Sequence, residues 1–421
     1  MNTFSLAGKE RIVLIALMIL GVLCLGATYM IDDELHTRFW SNILHNTVFF
    51  TGIAFMALFF LSACITAWAG WHAVFKRVWE SFSIFLVVGL ILMAIIALGM
   101  ILGWHHLYHW ADSASVATDD LLQHKSKFLN FTWFGIICLI IVGIWYLFAI
   151  KIRNLSLAED ERGDSDFTQH KKMRIWAAAF LPVGGFSSAA VIWLWVMSVD
   201  AHWYSTLFAW YSATSWFVAM ICLTILLLMY LKNQGYYERV SKEHIHDLGK
   251  YLFAFSIFWT YLWFSQYMLI WYGNIGEETV YFQIRREEYP VLFYGNLFIN
   301  FVLPFLILMR NDTKRKYGSV GFVAAIVFFG HWIDYFLMLK PGILHTAHEV
   351  LGHHGQHTEG AAHADHASPF VAGFTLPGLL EIGILLGFLG LFLFVALRVL
   401  AKAPLVAEKD PYLEESIHHH V

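Results

Sequence analysis

Ten stretches of about 20 mostly apolar residues recur along this chain, the length an α-helix needs to cross a bilayer. They run over roughly 12–30, 46–71, 81–104, 128–150, 175–199, 203–231, 251–272, 289–309, 318–339 and 374–399. So much apolar surface has no room in one soluble core of 421 residues. Only 14% of residues are charged, against about 25% in soluble domains. The expected fold is therefore all-α and polytopic. The first stretch is too long for a signal-peptide core and lacks a small-residue cleavage site after it, so it reads as a span.

Charge sets the expected orientation. Of the 27 lysines and arginines, 21 fall on the side shared by the N-terminus, the even-numbered loops and the C-terminus, and 6 on the other. Such a split predicts both termini in the cytoplasm. A net charge of −4 offers nothing to nucleic acid. The four cysteines, Cys24, Cys64, Cys138 and Cys222, all lie inside apolar stretches and read as small hydrophobes.

Short links favour antiparallel neighbours, so spans two to five and six to nine predict two antiparallel four-helix bundles flanked by spans one and ten. The matching division is 1–45, 46–200, 201–340, a histidine-rich outer loop at 341–373, and 374–421. Residues 155–174 read as a charged linker. Pro182 with Gly184–Gly185, and Pro304 near Asn296 and Asn300, predict interrupted helices, which either line cavities or are packing kinks.

Ionisable side chains inside spans are costly and mark pathways. In FFGHWIDYF, His331 and Asp334 are three apart and share a helix face. Such a pair either relays protons or ties helices together. Glu381 lies near the outer end of the last span. Asp200 and His202 sit in VMSVDAHWYSTLF, residues 196–208, a tight outer hairpin whose Trp203, Tyr204 and Trp210 fit an interfacial aromatic belt. Tyr261, Gln266, Tyr267 and Tyr272 could extend a hydrogen-bonded chain from span seven. A bis-histidine haem is not expected, because only His331 is deep. HEVLGHH spaces its histidines wrongly for a zinc-protease helix, and the seven histidines of 345–366 show no ordered ligand spacing, so no metal site is expected. The terminal His418–His420 carries no argument.

The hairpin motif, together with DLGKYLFAFSIFWTYLWFSQYMLIWYGNIGEET at 247–279, resembles the polysulfide-reductase-like (NrfD-like) membrane subunits of bacterial alternative complex III, a quinol:cytochrome c oxidoreductase. The likeness covers nearly the whole chain and is to the second of that complex's two such subunits. It implies the bacterial inner membrane and four kinds of partner: a paralogous NrfD-like membrane subunit, an iron–sulfur subunit, cytochrome c subunits and an associated haem-copper oxidase. Haem c and iron–sulfur clusters would sit in those partners, leaving menaquinone or ubiquinone as the one cofactor in question here. The paralogue's glycine/histidine-rich motif is missing: residues 41–60 read SNILHNTVFFTGIAFMALFF, with His45 but no GIGHAG-like run. The expectation is a scaffold and proton-pathway subunit, not catalytic alone, with His331, Asp334, Asp200, His202 and Glu381 on the path. The alternative is direct quinone binding by His45, Tyr261, Gln266 and Tyr267. An independent secondary transporter and a purely structural anchor are the rival classes.

Overall fold

The computed structural model describes residues 4–6, 8–163, 167–354 and 373–420. It is helical, with no strand among the described residues. The helices used below are α1 (Gly8–Met30), α2 (Thr37–Thr66), α3 (Lys76–Ser83), α4 (Leu86–Ile101), α5 (Cys138–Arg162), α6 (Thr168–Trp195) and α7 (Leu207–Asn233). Then come α8 (Lys242–Gly273), α9 (Gly276–Glu287), α10 (Pro290–Leu297), α11 (Leu303–Leu308), α12 (Tyr317–His354) and α13 (Leu379–Leu400).

Nine helical stretches among the described residues are long and apolar enough to cross a membrane. The expected seventh stretch is also one helix, α8, of 32 residues. Its tryptophans, tyrosines, serines and Gln266 lower its mean hydropathy and keep it out of the nine. Several expected boundaries move: the second stretch is helical from Thr37 to Thr66, and α5 runs on to Arg162 and α6 starts at Thr168, so most of the expected charged linker at 155–174 is helix. The third stretch starts at Ala73 rather than 81, because the charged residues Lys76, Arg77 and Glu80 are helical and buried. Helix α12 runs on to His354, so the first part of the expected loop at 340–373 is helix. The rest of the histidine-rich segment, from 355 to 372, lies outside the described residues.

Burial sorts the helices. In α2 and α7, 83% of the most apolar window is buried, against 17% in α1. The central helices α2, α7 and α12 pack on one another; α3 to α6 close around α2, and α8, α10 and α11 around α7 and α12. Helix α1 leans mainly on α13. A Cβ on Gly21 would stand 2.6 Å from the Cα of Gly387, so this crossing depends on glycine at both positions.

The two ends of the molecule are chemically distinct. One, the terminal end, gathers Phe4 against Tyr236, Glu10 with Tyr230, and the C-terminal tail, whose Ser416 hydroxyl donates to the Trp71 carbonyl at 2.7 Å. The other, the hairpin end, carries residues 196–206. Of the two expected irregular helices, the first keeps going and the second is interrupted. Pro182 lies within α6, and Pro304 opens α11 just after a π-helical turn, Phe298–Val302, that absorbs the missing backbone donor.

Candidate functional site

Helix α12 carries the site. Asp334 is fully buried, and three helices aim donors at its carboxylate. Tyr211 of α7 donates its hydroxyl to Oδ1. Asn296 of α10 donates to Oδ1 at 2.8 Å, and the Trp259 indole of α8 donates to Oδ2 at 2.9 Å. One turn back, His331 Nδ1 is 2.9 Å from the Ser215 hydroxyl of α7 and 4.0 Å from Asp334 Oδ2. His331 Nε2 is buried and has no partner among the described residues. Asn300 extends the network, donating to Asn296 Oδ1 at 2.6 Å. Among the described residues, every group bonded to the Asp334 carboxylate is a neutral donor.

Toward the hairpin end, a cavity of about 20 Å³ lies beside this station, bounded by Tyr211, Gln266, Tyr281, Arg285 and Asn296. That is room for about one water. Gln266 Oε1 accepts from Ser205 of the hairpin at 3.0 Å. Polar groups thus run from Ser205 through Gln266 and the cavity to Tyr211, Asn296, Asp334 and His331.

The two hairpin residues part company. Asp200 binds Arg285 at 2.8 Å. Arg285 Nε also donates to the Leu337 carbonyl at 2.9 Å. That carbonyl has no helical donor, because the residue four on is Pro341. Burial alone would push the Arg285 guanidinium down, but Tyr281 and Asp200 more than offset it and hold it above its ordinary value. Its Cζ lies 3.4 Å from the centre of the Tyr281 ring, which stacks on Trp203 at 3.8 Å. His202 instead turns to Asp119 at the surface.

Glu381 belongs to a second polar station, between α2, α12 and α13. Arg38 grips it through Nε at 2.8 Å and Nη2 at 3.0 Å, and Asn42 donates at 3.3 Å. Beside it the buried Lys340 ammonium donates to Ser41 Oγ at 2.6 Å and Asn42 Oδ1 at 2.7 Å. A polar stripe on α2 leads from here back to α12. Asn46 donates to the Asn42 carbonyl at 2.9 Å and accepts from the Trp332 indole at 3.0 Å. His45 Nε2 lies 3.0 Å from the Trp332 carbonyl.

The expected quinone-contact residues do not assemble. His45 is in this α2–α12 seam, Tyr261 is 62% exposed on the outside of α8, and Tyr267 stacks on Trp263. Gln266 belongs to the cavity wall, and Tyr272 is exposed at the end of α8.

A third cluster, at the terminal end, was not expected. Lys76 binds Asp410 and, at 3.3 Å, Glu159; Arg77 binds Asp160 and, at 2.7 Å, Glu80. His170 joins Glu159 at 3.0 Å. Glu159, His170 and Asp410 present ligand atoms all within 4.8 Å of one another, a spacing that could hold a metal, but the Lys76 ammonium already lies on both carboxylates. Burial would raise the Asp410 carboxyl; the Lys76 ammonium more than offsets this and holds it below the usual carboxylate range. A single sequence carries no signal for this cluster, because charges at span ends read as solvated.

No known family model and no curated protein matches the chain.

Proposed function

We propose that this chain is a membrane subunit of a bacterial quinol:cytochrome c oxidoreductase of the alternative-complex-III type, acting as scaffold and proton path. In this reading α8 is a tenth span, and both termini face the cytoplasm, so the hairpin end is the outer end. The helices around α2 form one four-helix bundle, those around α7 and α12 the other. Quinol is oxidised at the paralogous membrane subunit, and the haems and iron–sulfur clusters belong to partners. The sequence resemblance supports the complex; the geometry supports the proton path.

One observation carries the path: a fully buried carboxylate, Asp334, held only by neutral donors and joined by polar groups to the hairpin end. A carboxylate deep in a membrane protein is costly, and among the described residues no cation is bonded to this one. It can gain or lose a proton without breaking an ion pair. His331, 4.0 Å away and with a free ring nitrogen, is the next acceptor. Outer access runs by Ser205, Gln266 and the one-water cavity, with Arg285 in its wall.

The test is quinol-driven cytochrome c reduction and proton release by the complex in vesicles, wild type against Asp334→Asn. Electron transfer that persists while proton release falls is the expected result. Both persisting unchanged would make the pair structural. Both collapsing in an intact complex would place quinone chemistry on this chain. Purification of the chain without haem-bearing partners would overturn membership and favour a transporter.

A further inference from the structure

A long apolar seam opens on the side of the molecule, between α2, α6, α7 and α8. It encloses about 480 Å³ and is walled by Phe55, Phe59, Ala213, Phe217 and Phe255, with Phe186 84% exposed at its lip. It extends along α7 from Thr206 to Phe217, about 16 Å at 1.5 Å per residue. That is about half the thickness of a bilayer's hydrocarbon core. At the hairpin end it meets a second cavity, of about 210 Å³, and Trp193 lines both.

This second cavity changes character. Its wall includes His124, Lys125, Lys127, Trp203 and Tyr204. Lys125 is spent partly on the hairpin, donating to the Ala201 carbonyl at 2.6 Å and the His202 carbonyl at 3.2 Å. Lys127 is exposed and makes no ion pair among the described residues. The nearby carboxylates Asp119 and Asp200 are taken by His202 and Arg285. The lining of the mouth thus holds two lysines and, among the described residues, no carboxylate. Trp193 and Trp203, on the same wall, each carry a buried indole N–H with no partner among the described residues.

An apolar slot half a bilayer deep beneath a basic, donor-rich mouth matches an amphiphile with one long chain and an anionic head. We propose that this seam binds an anionic phospholipid, one acyl chain between the two groups of helices and its phosphate at Lys127 and Lys125. A neutral isoprenoid would fill the slot but leave the lysines without a counter-charge, and a soluble anion would leave the slot empty. The site is separate from the Asp334 station and does not rest on the proton-path reading.

The full chain in neutral detergent, given dioleoylphosphatidylglycerol, dioleoylphosphatidylcholine or dioleoylglycerol, tests this by native mass spectrometry and thermal melting. The expected result is tightest binding and the largest melting shift with phosphatidylglycerol. Lys127→Glu should weaken that binding about tenfold. Lys402→Glu, an exposed residue at the opposite end, should not change it. Ala213→Trp should block all three lipids; if that variant fails to fold, Lys127→Glu still decides. Phosphatidylglycerol held equally well by Lys127→Glu would overturn the proposal. So would equal binding of dioleoylglycerol, which would make the seam a neutral-tail site, or no lipid bound at all.

Discussion

Asp334, in the middle of α12, and Glu381, in the first turn of α13, are both buried acids, yet they live in opposite company. Glu381 receives both arms of the Arg38 fork, with Lys340 beside it. Asp334 receives a phenol, an amide and an indole. A bidentate guanidinium fixes a carboxylate in its ionised form and in one geometry. Neutral donors satisfy the oxygens without fixing the charge. Position in a span therefore does not separate a proton carrier from a structural acid; what separates them is whether the partner is a cation. On this ground the proposal makes Glu381 a brace between α2 and α13, and Asp334 the group that exchanges a proton.

The largest effect should come from breaking the brace. Arg38→Leu leaves Glu381 with Lys340 as its only nearby cation, and losing one partner of a buried pair costs about 3–5 kcal/mol. Melting in detergent should drop accordingly, and Arg38→Leu with Glu381→Leu together should recover most of it. If Arg38→Leu melts like wild type, the Glu381 station is not a brace and the contrast with Asp334 falls.

Asp334→Asn should cost less stability and more function. The new amide points one N–H where the carboxylate accepted from Tyr211, Asn296 or Trp259. One donor facing another costs about 1–3 kcal/mol. Proton release should fall much further than stability does. Glu381→Gln should show the reverse balance, with stability lost and the release-to-electron ratio kept. Equal ratios in the two variants would erase the distinction.

Much of this contrast was legible in the sequence, but not its decisive half. The spans show because each is a run of apolar residues, and His331 and Asp334 show because charge inside such a run is rare. Their partners do not show. Tyr211, Trp259 and Asn296 are ordinary interfacial types on three other helices, and only the packing aims them at one carboxylate. Arg38, Lys340 and Arg285 could be counted for orientation but not paired, since each sits at a span end where water is the default partner. The Lys76–Asp410 contact joins residues more than 300 apart. Asp200 and His202, neighbours in one motif, diverge because the hairpin turns one toward Arg285 and the other toward solvent.

Arg285 sharpens the comparison from the side of the cation. It binds a carboxylate, Asp200, but also stands in for the backbone donor that Pro341 lacks. Arg285→Lys keeps the charge and loses the fork, so the Leu337 carbonyl is left short of a donor, at about 1–2 kcal/mol. Pro341→Ala in that background should restore part of the loss by returning an N–H to the helix. No rescue would mean that Asp200 alone holds Arg285.

The comparison needs a third point, an acid left near water, and Asp119 supplies it. Burial would raise its carboxyl slightly; the His202 ring and the N–H groups of Leu121 and Leu122 more than offset this and hold it below its ordinary value. A folded value below the unfolded one, about 3.9, means that the stabilisation is present above that pH and is lost as pH falls through the folded value. His202 is 43% exposed in its side chain, so solvent screens the pair and its contribution stays under about 1 kcal/mol. Asp119→Asn should therefore lower stability slightly at pH 6 and flatten its decline between about pH 5 and 3. It should leave proton release unchanged. A loss of release as large as that of Asp334→Asn would move the outer mouth of the path from Ser205 and Gln266 to the His202 side of the hairpin. Partner chemistry alone would then no longer suffice to tell a proton carrier from a bystander.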